Sequence, residues 1–323
     1  MHLPRRAALL AAPALVLGTK PLRAQAFPSR PIRMIVPYTP GGVSDITARL
    51  IAEPMAAALG QPVPVENRAG ADGVIGTDVI AKAAPDGATW GLVSVGHPVN
   101  AAFYRLPFDT IRDFTFLTLT TRTPLVMCAA KGFAASTPRE FVDLAKRNPP
   151  GHFTFAGTAG VVRLAPLLFA QQTGTQLTYV PYRGSTQAHP DLIAGRVDVM
   201  FDTVPAALPH IQAGTLKALA TTGAQRAPQL PDTPTMAEFL PGFEASTWGM
   251  IIGPANIPEP IVTRMHREAV AALSRPEVLD RHRTLGAEVA TLTPEQSRDF
   301  AISEMEKWGA AARAAGIQPQ NAG

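Results

Sequence analysis

The sequence predicts a two-lobed α/β fold, each lobe a mainly parallel sheet flanked by helices. Three observations predict it. Short apolar runs alternate with helical patterns, that rhythm occurs twice along the chain, and a glycine-rich loop stands at a strand-to-helix junction in each repeat. The first repeat opens with an apolar run at 32–37, which reads as a buried strand. A glycine turn follows, then a helix over 45–59 that Gln61-Pro62 ends. A strand at 63–67, a helix at 74–81 and a strand at 89–95 complete a β-α-β-α-β series of the kind that forms a parallel sheet. Two further strand-like runs are expected at 114–120 and 125–129, with 122–124 as the crossing point between the lobes.

The second repeat opens at Thr137, where Pro138 and Glu140 form the signature of a capped helix with proline in its first turn, running to about residue 147. Strands are expected at 153–156, 177–180, 197–201 and 216–220, and helices at 164–172, 185–194 and 206–213. Residues 226–242 are rich in proline and weakly periodic, as a surface connection is. A strand at 248–252 precedes helices at 260–273 and 294–315, the latter opened by Thr293, Pro294 and Gln296. These closing helices are too few for a third domain and are expected to return to the first sheet. The expected division is a first domain at 27–124, a second at 125–225, a crossover at 226–245 and a returning part of the first domain at 246–323.

Residues 1–26 read as an export signal. Arg5 and Arg6 supply a basic head, residues 7–18 an apolar core too short for a stable membrane anchor, and Ala24-Gln25-Ala26 a cleavage site that makes Phe27 the new N-terminus. The arginine pair also admits a twin-arginine export route. The signal accounts for the whole formal charge of +4. Arg5, Arg6, Lys20 and Arg23 lie in it with no acidic residue, so of 29 basic residues 25 remain, against 25 acidic ones. No global positive charge is left to attract nucleic acid or anionic lipid, and any anion site must be local. Cys128 is the only cysteine. It excludes an internal disulfide or a thiolate metal cluster and reads as a buried strand residue.

The sharpest local feature is Pro37-Tyr38-Thr39-Pro40-Gly41-Gly42-Val43-Ser44-Asp45, between a buried strand and a helix. Free backbone N–H groups and the positive end of the helix dipole meet a ligand there. Gly41 and Gly42 let the backbone approach a carboxylate, Ser44 or Asp45 can cap the helix, and Tyr38 and Thr39 flank the turn. A plain strand-to-helix turn is the competing reading. Its counterpart in the second repeat is Gly157-Thr158-Ala159-Gly160-Val161-Val162-Arg163, where Arg163 either forks onto a carboxylate or faces water. Ser94, His97, Tyr182, Asp202 and Thr203 are further candidates for the walls of a cleft between the lobes, because open α/β sheets bind ligands at the ends of parallel strands.

Catalysis finds little support. There is no G-x-S-x-G elbow, no H-E-x-x-H and no lysine-containing phosphate loop, and Gly70, Gly73 and Gly76 lack the context of a nucleotide motif. The histidines after residue 26 are scattered, and no metal site or cofactor is expected. A periplasmic hydrolase or isomerase therefore stands only as a distant alternative to a binding protein.

Five motifs in order resemble the Bug family, the TctC-like extracytoplasmic solute receptors of tripartite tricarboxylate transporters. They are the 37–45 loop with Ala48-Arg49; Val65-Glu66-Asn67-Arg68-Ala69-Gly70-Ala71; Val180-Pro181-Tyr182-Arg183-Gly184; the 195–202 run Gly-Arg-Val-Asp-Val-Met-Phe-Asp; and Leu230-Pro231-Asp232-Thr233-Pro234-Thr235-Met236-Ala237-Glu238. The resemblance implies a periplasmic binding protein fold with no enzymatic activity that closes on a small carboxylate. That solute is a di- or tricarboxylate, an aromatic acid, a nicotinate-like compound or an amino acid. Backbone amides, hydroxyls and waters from Tyr38 to Asp45 and from Gly157 to Arg163 would hold it. The implied partners are inner-membrane transporter subunits, with a periplasmic signalling partner as the alternative, and the receptor is expected to act as a monomer. In the second loop Arg163 stands where the family commonly has histidine, so ligand identity does not carry over.

Overall fold

The computed structural model describes residues 27–158 and 160–321; the export signal expected at 1–26 and the candidate Ala159 lie outside them. The chain begins with β1 (Arg33–Val36), α1 (Val43–Leu59), β2 (Val65–Asn67), α2 (Val74–Ala81) and β3 (Thr89–Ser94). Helix α3 (Gly96–Phe103) and strand β4 (Tyr104–Arg105) follow, then the 17-residue β5 (Phe114–Ala130). Next come α4 (Pro138–Lys146), β6 (Thr154–Gly157), α5 (Val161–Thr173), β7 (Thr178–Pro181), α6 (Ser185–Ile193), β8 (Val199–Thr203), α7 (Val204–Gln212) and β9 (Leu216–Thr221). The chain closes with β10 (Ser246–Pro254), α8 (Glu259–Leu273), α9 (Pro276–Thr284), β11 (Glu288–Val289), α10 (Pro294–Ala314) and β12 (Gln320–Asn321).

The two lobes share a plan. In the first, β1 lies between β2 and β3, parallel to both, with Met34 opposite Val65 and Trp90. In the second, β6 lies between β7 and β8, again parallel to both. The long strands run antiparallel to these trios. β10 joins β3 to the first part of β5, and the second part of β5 lies between β8 and β9. Side chains alternate across the first sheet, as a period of two requires. Met34, Leu92 and Ile251 enter one buried cluster with Ile51, Met55 and Met265, while Ile35, Val93 and Met250 enter the other.

The two runs expected at 114–120 and 125–129 are one strand. Its central Thr-Thr-Arg-Thr-Pro stretch is polar, yet Thr121 and Thr123 are buried between neighbouring strands. Pro124 has no N–H for a ladder, and it stands where none is needed. Ser246↔Pro124 is an end pair with β10, and Leu125↔Thr203 is the first with β8. Thr222 clasps this handover. Its hydroxyl accepts from the Leu125 N–H at 2.8 Å and donates to the Ala245 carbonyl at 2.5 Å, and its own N–H reaches the Leu125 carbonyl at 2.9 Å.

Sequence periodicity missed α3, β4, α9, β11 and β12. α9 is short and strongly charged, and its buried contact depends on His282, whose ring bonds the Thr47 hydroxyl at 2.8 Å and the Val278 carbonyl at 2.7 Å. Of the closing helices, α8 packs on α1, and α10 packs on α3 and β5. α10 also reaches α5 of the second lobe. Its N-terminus carries the reciprocal cap expected from Thr293 and Gln296. Cys128 is fully buried, and burial pushes its thiol pKa upward.

Candidate ligand cleft

The loop between β1 and α1 is held from within. Asp45, in the first turn of α1, is only 4% exposed and accepts hydrogen bonds from the Gly41 N–H at 2.9 Å, the Asn67 amide at 2.9 Å and the Arg49 guanidinium at 3.1 Å. Burial works against its charge, but these three donors outweigh it and lower its pKa. Asn67 also donates to the Tyr38 carbonyl at 3.1 Å, tying β2 to the turn. Neither Asp45 nor Ser44 caps the helix; the N-cap is Gly42, with no side-chain bond.

Tyr38 turns toward β3. Its hydroxyl accepts from the Ser94 N–H at 3.0 Å and from the Ser94 hydroxyl at 2.8 Å. Both of those bonds use its lone pairs, so the phenolic hydrogen stays available to an acceptor in the cleft. Burial raises its pKa, which keeps that hydrogen in place.

In the second lobe the chain leaves β6 at Gly157. A Cβ there would lie 2.8 Å from the Tyr179 ring and 3.3 Å from the Arg163 Cα, so only glycine fits. Gly160 then takes φ +56 as the N-cap of α5 and accepts from the N–H groups of Arg163 and Leu164. The Arg163 guanidinium lies 4.6 Å from the Tyr179 ring centroid and 5.4 Å from that of Phe103, touching one ring from each lobe. Its Nε is buried with no hydrogen-bond partner among the described residues.

These loops open into two adjoining compartments. The smaller, 210 Å³, meets the N-terminus of α1 through Gly42, Val43 and Ser44, and is walled by Thr121, Thr123 and Trp248. The larger, 310 Å³, meets the N-terminus of α5 through Gly160, Val161, Val162 and Arg163, with Thr158 beside them. Tyr38, Ser94 and Thr247 line both and so join them. One helix N-terminus from each lobe thus presents first-turn N–H groups without intrahelical partners to a single cleft.

Several candidates fall elsewhere. Thr39 and Gly41 line neither compartment, and the Gly41 N–H is taken by Asp45. His97 does not face the cleft. Its ring is buried against Phe108 and Phe114 and bonds the Thr110 carbonyl at 2.9 Å, and burial lowers its pKa to about 4. Tyr182 donates to Asp191 at 2.8 Å. Asp202 is buried, accepting from Ser185 at 2.7 Å and from the Thr203 N–H at 2.8 Å, with His189 at 2.8 Å on its other oxygen. Asp202, Thr203 and Tyr182 therefore organise the second lobe away from the two compartments. Gly157 shapes its loop from behind.

Residues that sequence reasoning did not select line the larger compartment: Asp72, Asn100, Phe103 and Tyr104. Tyr104 donates to Asp72 at 2.5 Å, and this bond, with burial, pushes its pKa up to about 12, against the pull of the Arg163 charge. The available signal was the glycine pair flanking Ala71-Asp72. Residues Gly70, Ala71, Asp72 and Gly73 all have positive φ, from +45 to +145. Among the described residues no group of three or more His, Cys, Asp or Glu side chains could hold a metal ion.

Two lobes joined by the continuous strand β5, with a polar cleft fed by one helix N-terminus from each, define the class of solute-binding receptors. The chain belongs to the family described as the tripartite tricarboxylate transporter family receptor, whose model matches residues 47–317. It is 41% identical over 313 residues to the "UPF0065 protein in tcbD-tcbE intergenic region" of Pseudomonas sp. (strain P51), covering 94% of this chain and 92% of that protein. Among solved structures, R. palustris Rpa4515 with adipate has a TM-score of 0.74 at 31% identity, covering 91% of this chain and 100% of that one. The periplasmic binding protein BugD has 0.71 at 32%, covering 91% and 100%. MatC (Rpa3494) from Rhodopseudomonas palustris with bound malate has 0.69 at 33%, covering 88% and 100%. The family and these structures are binding proteins rather than enzymes.

Proposed function

We propose that this protein captures a small organic carboxylate in the periplasm and delivers it to inner-membrane transporter subunits. The observation that carries this reading is the convergence of the α1 and α5 N-termini on one cleft joined at Tyr38, Ser94 and Thr247. A carboxylate at either terminus accepts hydrogen bonds from first-turn N–H groups and gains from the helix dipole. Tyr38, Ser44 and Thr158 add hydroxyl donors at the same places. That similar proteins are seen with adipate and malate supports the solute class.

In this reading residues 1–26 are an export signal and Phe27 begins the mature chain, which acts as a monomer. Residues 27–124 with 246–323 form one lobe, 125–225 the other, and closure turns about the handovers at Pro124 and Thr222. The test is a thermal-shift screen of the chain from Phe27 against di- and tricarboxylates, aromatic acids, nicotinate and amino acids. A saturating ligand at about a thousand times its Kd stabilises the folded form by about 4 kcal/mol, a clear shift. Absence of any shift, after refolding to strip retained ligand, counts against the reading.

A further inference from the structure

The larger compartment is charged and the smaller is not. Among the residues lining the 310 Å³ space, Asp72 and Arg163 carry formal charges, and no residue lining the 210 Å³ space does. The two charges come from opposite lobes, Asp72 from the turn before α2 and Arg163 from the first turn of α5. They form no ion pair with each other.

Each is held in place with bonding capacity unspent. Arg163 is braced between the Tyr179 and Phe103 rings, which orient it without satisfying its donors, and its buried Nε has no partner. A buried donor of this kind calls for an acceptor. Asp72, exposed in the lining of the compartment, gives Oδ2 to the Tyr104 hydroxyl and its carbonyl to the Asn100 amide, and its Oδ1 makes no hydrogen bond among the described residues. Its backbone is left-handed, φ +52 and ψ +33, where a non-glycine residue is strained. Nor does the side chain serve the adjacent helix, since the N-cap of α2 is Gly73 and no side chain caps it. An aspartate in a glycine's conformation, neither capping nor paired to a cation, is an acceptor presented to the cleft.

A bare carboxylate drawn to Arg163 meets the Asp72 charge in the same small space and is repelled by it. A ligand that brings a hydrogen-bond donor next to that carboxylate converts the repulsion into a bond. We propose that Asp72 and Arg163 together select 2-hydroxy and 2-amino acids. In this arrangement Arg163 and the α5 N-terminus hold the carboxylate, and Asp72 accepts from the hydroxyl or ammonium on the neighbouring carbon. The inference rests on the receptor reading above and adds to it the substituent that the ligand must carry.

The test is calorimetric titration of the chain from Phe27 with matched acids: succinate, malate and aspartate; glutarate, 2-hydroxyglutarate and glutamate; adipate and 2-aminoadipate. The expected result is a preference of roughly 10- to 100-fold for a substituted acid over its unsubstituted partner, the range for a hydrogen bond to a charged group. Tighter binding of the amino acid than of the hydroxy acid identifies the donor as an ammonium; the reverse order identifies a hydroxyl. Asp72→Gly suits the left-handed backbone, so a melting temperature at or above the parent's confirms its fold, and it should erase the preference. Asp72→Asn keeps an acceptor oxygen without the charge and should erase the amino-acid preference more fully than the hydroxy-acid one. Equal or tighter binding of the unsubstituted acids by the parent, or a preference that survives Asp72→Gly, overturns the inference while leaving the receptor reading intact. Failure of every acid to bind overturns both.

Discussion

Trp248 donates its indole N–H to Glu304 at 2.8 Å, fastening a wall of the smaller compartment to helix α10. The indole of Trp308 reaches the same oxygen at 2.9 Å, and Lys307 pairs with the other. Glu304 is 4% exposed, so its charge is stabilised by these donors rather than by water. Removing it as Glu304→Ala strands two buried N–H groups and a cation, at a cost of about 3 kcal/mol. Glu304→Gln, which keeps an acceptor, should lose less than half as much. Denaturant unfolding followed by tryptophan fluorescence reads both. Equal loss in the two variants would show that packing, not the acceptor, matters at this position.

Tyr38→Phe removes one hydroxyl that accepts twice from Ser94, on a side chain that lines both compartments. Affinity for the bound carboxylate should fall roughly 10- to 100-fold, with stability lowered by about 1–2 kcal/mol for the stranded Ser94 N–H. Titration calorimetry beside a thermal melt separates the two effects. Unchanged affinity would remove Tyr38 from the contacts.

Gly157→Ala and Gly41→Ala should differ in kind. At Gly157 the new Cβ collides with Tyr179 at 2.8 Å and presses on the Arg163 backbone, so the brace behind Arg163 must move. Stability should fall by about 1–3 kcal/mol, and ligand affinity should fall with it. At Gly41 a Cβ meets open space and only the φ of +89 is strained, costing about 1–2 kcal/mol. Because the Gly41 N–H is already bound to Asp45, affinity should change little. Paired melts and titrations of the two variants decide this.

His97 makes stability depend on pH. Its folded pKa of about 4 lies below the ordinary 6.5, so the folded protein binds fewer protons than the unfolded chain between those values. The stabilisation is complete above pH 6.5 and is lost as pH falls toward 4, amounting to about 3 kcal/mol. His97→Phe fits the surrounding aromatic side chains and should flatten that slope, although it loses the bond to Thr110. Burial also lowers the pKa of His282, so part of the slope remains. Urea unfolding at pH 7 and pH 4 measures the difference; identical slopes in parent and variant would reassign the effect.

The legible part of the candidate site was its backbone. Glycine pairs after apolar runs marked both strand-to-helix loops, and both reach the cleft through Gly42, Ser44, Thr158, Gly160 and Arg163. Side-chain direction was not legible. His97 and Asp202 stand beside strand ends as Ser94 does, yet His97 turns into an aromatic cluster and Asp202 into a buried network. Asp72 was hidden for the opposite reason: it lies in a turn, and only tertiary bonds from Tyr104 and Asn100 hold that turn at the compartment that Arg163 also lines.

What the sequence determined by itself was whatever depends on neighbours along the chain. Apolar periodicity, caps such as Thr293 with Gln296, and the doubled strand–helix rhythm specify two α/β lobes, because each is a local preference that needs no distant partner. Tertiary structure decided the rest. It merged two expected strands into β5, since strand pairing across Pro124 comes from β10 on one side and β8 on the other. It also placed Asp72 and Arg163 in one compartment, since two residues 91 positions apart in the sequence come together only when the lobes share a cleft. Hydrogen-bond direction and charge proximity are set by folding at long range, and no window of sequence contains them.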